Sequence, residues 1–453
     1  MTSLTRYERA LGSSSDLPND LGPALAHASL TARKSLSTRS EREAALVEVA
    51  AGVAAPFLVG YTSWVLEIAE REGLEHLYFL SRDGQYLHHI AAKLSTALAG
   101  RCEGHYLEAS RVTLNLAAAG GISEETWPFL LGRVKRMTGH ELGERLHLTS
   151  SELAEVMRSA GLGDVDWTRQ LGAHGAESIP RVLLQEDLRQ LIRDRAAQAK
   201  VRTLPYLRQE GFLDDRHVGV VDVGGAGSQF RALSALRREA GLSPPVGFLV
   251  CRYTSQSPQE ATGYDDRAGC ARLHVYLRDD VAGTGVPRFN SLVNILEVFS
   301  AADHGRVKGY QYRSGRWQAV TDGDYGSAVS EWGLDLVRRT MDEFVHEVVK
   351  ENRSLPSCSP PPAPLVDNLR RFILHPTRWE ARAWAAFPVG EPGSEMLAAP
   401  LKISTLARTI VQRRRPSEVR LWWPGAVKLA SWPLQFIVTM ISRVRRAGRR
   451  RRT

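Results

Sequence analysis

Residues 73–84 read Gly73-Leu-Glu-His-Leu-Tyr-Phe-Leu-Ser-Arg-Asp-Gly84. Glycine is a natural end for a preceding helix, and Leu77-Tyr78-Phe79-Leu80 is a short apolar run suited to a buried strand. Ser81-Arg82-Asp83-Gly84 is a polar turn, and the residues after it put Tyr86, Leu87, Ile90 and Leu94 on one helical face. Helix, buried strand, tight turn and helix predict the opening of an α/β protein with a doubly wound, Rossmann-like, mostly parallel sheet.

Upstream, residues 40–71 read as a helix that Pro56 kinks or splits. Residues 49–66 are uncharged and approach membrane-spanning length, but they include Pro, Gly, Thr, Ser and Tyr and run into Glu67-Ile-Ala-Glu-Arg-Glu. That composition favours a helix packed on a sheet. Residues 1–40 are polar, with no apolar core of the secretory type, and read as a flexible arm.

Downstream, His105-Tyr106-Leu107-Glu108 reads as a second strand, closing a first core part over 41–120. Residues 121–210 are helical in pattern, with a capping box at Thr149-Ser-Ser-Glu152, and are expected to form a cap-like insert. The core resumes over 211–352. It holds a strand at 218–224, another at 245–251, a hairpin around Ser314-Gly315 and a helix over 326–351. A Pro-rich linker spans 353–364, a helical segment 365–412, and a basic, Trp-rich tail 413–453.

The net charge of +9 is unevenly spread. Residues 413–453 hold twelve Lys/Arg and one acid, a net of +11, so the other residues sum to −2. Any partner implied by charge is therefore a partner of the tail. The four cysteines, Cys102, Cys251, Cys270 and Cys358, are widely spaced. That spacing excludes a zinc-ribbon motif, argues against a disulfide framework and suits the cytoplasm.

Three strand ends carry polar groups suited to an anion. Asp83 follows the first strand on a turn that opens a helix, where α/β folds place their ligand crevice; the plain alternative is a helix cap. Ser110 and Arg111 follow the second. The third is Val220-Val-Asp222-Val-Gly224-Gly225-Ala-Gly227-Ser228-Gln229. Its glycines let backbone approach a ligand, but Phe230 stands where a dinucleotide fingerprint needs glycine. An acid within an apolar strand is costly unless it has a task or a partner.

These residues resemble a family. Residues 73–84 look like the phenylalanine-leucine-alanine-arginine-aspartate-glycine signature of haloacid-dehalogenase-like proteins found beside, or fused to, bacterial polysaccharide glycosyltransferases. The turn from Asp222 to Gln229 is similar to a second signature. Further matches are Leu296-Glu297 before Gly305 and Gly309-Tyr310, and Phe372-Ile-Leu-His-Pro376-Thr377 before Glu380-Ala381. The resemblance covers roughly 45–390.

It implies a phosphohydrolase scaffold that holds Mg2+ on Asp83 and Asp222. A phosphorylated sugar or sugar-lipid would be bound by Ser81, Arg82, Gly84, Ser110, Arg111, Gly224, Gly225, Gly227, Ser228 and Gln229, in cell-surface polysaccharide assembly. Active members carry Asp-x-Asp in the first motif, with the first carboxylate attacking phosphorus. Here Ser81 stands at that position and supplies no carboxylate, so phosphatase turnover is the implication it weakens. Asp83 remains as the catalytic acid/base. The alternatives are a non-catalytic adaptor that tethers a glycosyltransferase to the membrane, and a glycosyltransferase using Asp265-Asp266.

In the tail, Trp422, Trp423 and Trp432 precede a ten-residue apolar run, too short to cross a bilayer. Gln435, Thr439, Ser442 and Arg446 form one stripe, and Leu434, Ile437, Val438 and Ile441 the opposite face. Arg443, Arg445 and Arg446 are among seven arginines in the last eleven residues. A basic amphipathic helix lying on the anionic inner face of the membrane is the expectation, with nucleic acid disfavoured because the body is not basic.

Overall fold

The computed structural model describes residues 3–13, 17, 21–98, 101–121, 127, 131, 134–225, 227–252, 269–277, 290–351, 363–389, 395–411, 419 and 421–450. Five strands, β1 (His76–Leu80), β2 (Glu103–Leu107), β3 (Val218–Gly225), β4 (Val246–Arg252) and β5 (Arg272–Val275), form one sheet in the order β2-β1-β3-β4-β5. Every pairing in it is parallel. Four of these strands match the sequence reading; β5, only four residues long with two basic ones, gave no apolar signal. The expected hairpin is present as β6 (Val307–Arg313) and β7 (Arg316–Thr321), turning on Ser314 and Gly315 at φ 49° and 79°. Two positive φ values at the centre of the turn match the right-handed twist of the strands.

Parallel pairing requires crossovers, and helices supply them. In chain order the helices used below are α1 (Arg6–Gly12), α2 (Leu21–Ser35), α3 (Glu41–Val49), α4 (Ala55–Arg71), α5 (Gly84–Leu98), α6 (Arg111–Ala118), α7 (Glu186–Gln209), α8 (Ser228–Glu239), α9 (Asn290–Phe299), α10 (Trp423–Leu429) and α11 (Trp432–Arg450). β2 and β3 flank β1 on opposite sides, so the direction of winding reverses between β1 and β3. Leu77, Phe79, Val221, Val223, Phe248 and Val250 bury one face of the sheet with residues of α4, α5 and α9. Tyr78, Leu80, Val218, Val220 and Leu249 bury the other with residues of α6, α7 and α8. The helical insert between β2 and β3 belongs to this second cluster. Among the described residues its core is continuous with that of this sheet face.

Two expectations need correction. Residues 1–40 are not a loose arm, because Tyr7, Leu11, Leu25, Ala28 and Ala32 of α1 and α2 are buried in the main core. Buried Glu8 accepts from Arg33 Nε at 2.8 Å, and the Tyr7 hydroxyl donates to Glu380 at 2.9 Å. The polar residues that suggested an arm cover an apolar stripe at helical spacing. Nor does Pro56 split its helix: residues Glu41–Arg71 run continuously, with a π-helical turn over Ala50–Ala54. The wider turn makes room for the proline ring. The Gly52 carbonyl, four residues earlier, loses its normal donor and accepts instead from buried Asn368 Nδ2 at 3.2 Å. This is the one helix, among the described residues, long and apolar enough to cross a membrane, and 89% of its apolar window is buried within the protein.

The tail is partly core. Trp422 is fully buried, and its indole N–H donates to the Ile373 carbonyl at 2.9 Å. It is no membrane anchor. Trp423 is half-buried, while Trp432 is 75% exposed and stacks on Phe436. On α11, Leu434 and Val438 are buried, so the outward apolar edge is Trp432, Phe436, Ile437 and Met440. The expected apolar face is thus divided between core and solvent. Arg443, Arg445 and Arg446 lie on α11, their side chains outside the described set. Most of the Pro-rich linker and the Asp265-Asp266 pair also lie outside the described residues.

Candidate functional site

The reversal between β1 and β3 places a crevice at the carboxyl ends of those two strands, where open α/β sheets bind ligands. β1 and β3 pair as far as Phe79 with Val221, so Asp222 stands level with Leu80, the last residue of β1. Strand alternation puts Asp222 on the face of Val218 and Val220. Asp83 lies on the turn three residues beyond β1. The turn is tight because Gly84, which opens α5, approaches the Phe79 backbone; a Cβ there would lie 2.6 Å from the Phe79 carbonyl carbon. The Asp222 carbonyl accepts from the Tyr61 hydroxyl at 2.9 Å, and its carboxylate accepts from the Val223 N–H at 2.8 Å.

A third carboxylate completes the group. Glu297 lies on α9, whose Leu292, Val293, Ile295, Leu296, Val298 and Phe299 are buried in the core. Asp83 and Asp222 are half-buried and Glu297 is exposed. Burial pushes Asp83 up to about 6, against the lowering pull of Arg82 and Arg111. Burial and then the Asp83 charge push Asp222 up to about 7. The same two causes push Glu297 up to about 8.

Two arginines flank the acids. The Arg82 guanidinium lies over the Tyr325 ring, 4.3 Å from its centroid, and half-exposed cationic stacking of this kind holds it in place. Arg111 opens α6 and is exposed. Fully ionised, three carboxylates and two guanidiniums sum to −1. Three helices also begin at this edge: α5 at Gly84, α6 at Arg111 and α8 at Ser228, with Gly227 at φ 77° as the α8 N-cap. Their positive dipole ends favour an anion. Gly224 and Gly225 form the end of β3, paired with Cys251 and Arg252; Ser228 and Gln229, both half-buried, form the first turn of α8.

The two serines do not serve as expected. Ser110 is the buried N-cap of α6; its Oγ accepts from Val112 and Thr113 N–H and donates to the Val307 carbonyl at 2.6 Å. Ser81 Oγ donates to the Ala109 carbonyl at 2.7 Å and accepts from the Ala109 N–H at 3.1 Å. Both hydroxyls are spent on tying the ends of β1 and β2 to their surroundings, which leaves neither proton for a phosphate oxygen. Gln85, beside Asp83, also faces a protein partner, donating to Asp303 Oδ1 at 2.8 Å.

Asp83, Asp222, Arg82, Arg111 and the glycine turn therefore assemble as the sequence suggested. Glu297 was missed as a site residue, though it lay in a matched motif. Its signal was a lone acid inside the apolar run Ser291-Leu-Val-Asn-Ile-Leu-Glu-Val-Phe299. Tyr325 gave no signal, because its role depends on Arg82 reaching it from 243 positions away. The chain matches no family model and no curated protein.

Proposed function

We propose that the cleft binds the phosphate group of a phosphorylated sugar or sugar-lipid together with Mg2+, on a haloacid-dehalogenase-like scaffold, with Asp83 as the acid/base. One observation carries this reading: three carboxylates, all raised in pKa by burial and two of them further by the Asp83 charge, gather where three helix N-termini meet. Carboxylate oxygens suit a hard divalent cation. A divalent cation turns the local sum from −1 to +1, which together with the helix ends favours a phosphate dianion. Asp83, Asp222 and Glu297 would hold the cation, which would supply charge neutralisation at the phosphoryl oxygens. Glu297 offers the third carboxylate that Ser81 does not.

Asp83, on the turn between Arg82 and the start of α5, is the residue that takes a proton from an attacking water in this reading. The Ser81 hydroxyl, held by Ala109, forms no covalent phosphoryl intermediate in this reading. Arg82 and Arg111 orient the phosphate.

The test is thermal-shift binding and phosphate release with a panel of sugar phosphates, with and without Mg2+. Wild type should respond only when both are present, and Asp83→Asn and Asp222→Asn should lose the response. Identical behaviour of all three proteins would overturn the proposal. It would favour a non-catalytic adaptor for a glycosyltransferase.

A second reading concerns location, and the exposed edge Trp432, Phe436, Ile437 and Met440 favours it. Followed by seven arginines in the last eleven residues, this edge suits peripheral attachment to the anionic inner face of the cytoplasmic membrane. Removing residues 421–453 is a poor test, because it takes Trp422 out of the core. Deleting 443–453, or replacing Trp432 and Phe436 by Ala, should abolish co-sedimentation with anionic liposomes. Trp432→Ala should change stability by about 0.5 kcal/mol or less, whereas Trp422→Ala should cost about 3–5 kcal/mol in a denaturant melt. Binding that ignores salt and lipid charge would contradict the reading.

A further inference from the structure

The opposite edge of the sheet, where β1 and β2 begin, carries a different constellation. Parallel register sets His76 beside Glu103 and Tyr78 beside His105. Glu103 and His105, two apart, project from one face of β2, and His76 meets them from β1. His76 Nδ1 lies 2.7 Å from His105 Nε2. The Glu103 carboxylate is 3.8 Å from the first nitrogen and 3.9 Å from the second. One ligand atom from each residue falls within 4.8 Å of both others, and this is the His/Cys/Asp/Glu cluster of that kind among the described residues.

We propose that His76, Glu103 and His105 form a site for a divalent transition metal of the zinc class. Bonds of about 2.0–2.2 Å around a tetrahedral ion separate neighbouring ligand atoms by roughly 3.3–3.5 Å. The two nitrogens, 2.7 Å apart, are closer than that value, while Glu103 approaches them with different oxygens, Oε2 at 3.8 Å from His76 and Oε1 at 3.9 Å from His105. One atom from each residue lies within 4.8 Å of the others, so closing the shell takes a rotation of the Glu103 carboxylate and a small parting of the imidazoles. Two imidazoles with one carboxylate select zinc-class ions over Mg2+ or Ca2+. Three protein ligands leave a fourth position for water.

The surroundings fit. His105 stacks on Tyr78 with ring centroids 5.0 Å apart, which holds its plane, and His76 is buried. Glu103 has an exposed side chain that is free to rotate onto an ion. Between two nitrogens 2.7 Å apart only one hydrogen fits; the ion takes both lone pairs and displaces that proton. Bound there, it staples the edge strand β2 to β1. β1 is five residues long, so this site lies about 15 Å from the carboxylate cleft and is independent of it.

The full-length protein, stripped by chelator and dialysed, is titrated with Zn2+ and separately with Co2+. One equivalent of each should bind, Co2+ should develop the visible absorption of a tetrahedral site, and Zn2+ should raise the melting temperature by several degrees. Excess Mg2+ should not compete. His105→Gln should lose binding, and Glu103→Gln, at an exposed position that leaves folding intact, should weaken it at least tenfold. Equal zinc affinity in wild type and Glu103→Gln, or full displacement by Mg2+, overturns the proposal. If His105→Gln fails to fold, Glu103→Gln and the Co2+ spectrum decide.

Discussion

The two edges of the parallel sheet differ in how they manage charge. At the carboxyl edge, α5, α6 and α8 begin, and three acids crowd together with their pKa values raised. At the amino edge, α4 ends just before β1 and α8 ends before β4, so negative dipole ends collect there. The charges at that edge are paired: Glu72 accepts from Arg272 at 2.6 Å and from His274 at 2.9 Å. A parallel sheet sends all its helices the same way, so one edge favours anionic ligands and the other cations. The carboxyl edge also holds three acids together at a cost in stability, which the proposed cation would relieve.

The sharpest way to break this comparison is to remove a carboxylate. Asp83→Asn should lower Mg2+-dependent sugar-phosphate affinity by more than tenfold while leaving zinc binding at the amino edge unchanged, both read by calorimetry. Loss at both edges would show one coupled site.

A smaller effect follows from the pKa values. The three acids hold protons to higher pH when folded than unfolded, where they titrate near 4. The stability they contribute is complete below that value and is lost as pH rises through about 6, 7 and 8 in turn. Denaturant melts in chelator should therefore show wild-type stability falling between about pH 4 and 8. The Asp83→Asn/Asp222→Asn double variant should flatten that slope. Mg2+, which needs the ionised acids, should bind more tightly over the same interval. A slope unchanged by the double variant would place the titrating groups elsewhere.

The smallest effect separates scaffold from site. Ser110→Ala removes a helix cap and should cost about 1 kcal/mol in a melt, with sugar-phosphate and zinc affinities unchanged. A large loss of phosphate affinity would return Ser110 to the cleft.

Much of this architecture was legible in the chain. The runs at 77–80, 105–108, 218–224 and 245–251 read as strands because each is short, largely apolar and bounded by turn residues, and the Ser314-Gly315 turn announced its hairpin. Asp83 and Asp222 were legible because acids at the ends of apolar strands are conspicuous. The N-terminal helices were misread because Tyr7, Leu11, Leu25 and Ala32 are spread thinly among polar residues, and only packing reveals their stripe. Ser81 and Ser110 were misread because a serine at a strand end looks the same whether its hydroxyl faces a ligand or a neighbouring carbonyl.

Local pattern thus determined the strands, the turn at residue 83 and the concentration of positive charge in the tail, since each follows from side chains adjacent in sequence. Tertiary structure alone decided which strands are neighbours, and with that everything that depends on long-range approach. It brought Glu297 to Asp83, spent the two serine hydroxyls, buried Trp422 while exposing Trp432, and set His76 within 2.7 Å of His105. The physical reason is register: parallel pairing places residues by alignment between strands, and no local spacing encodes it.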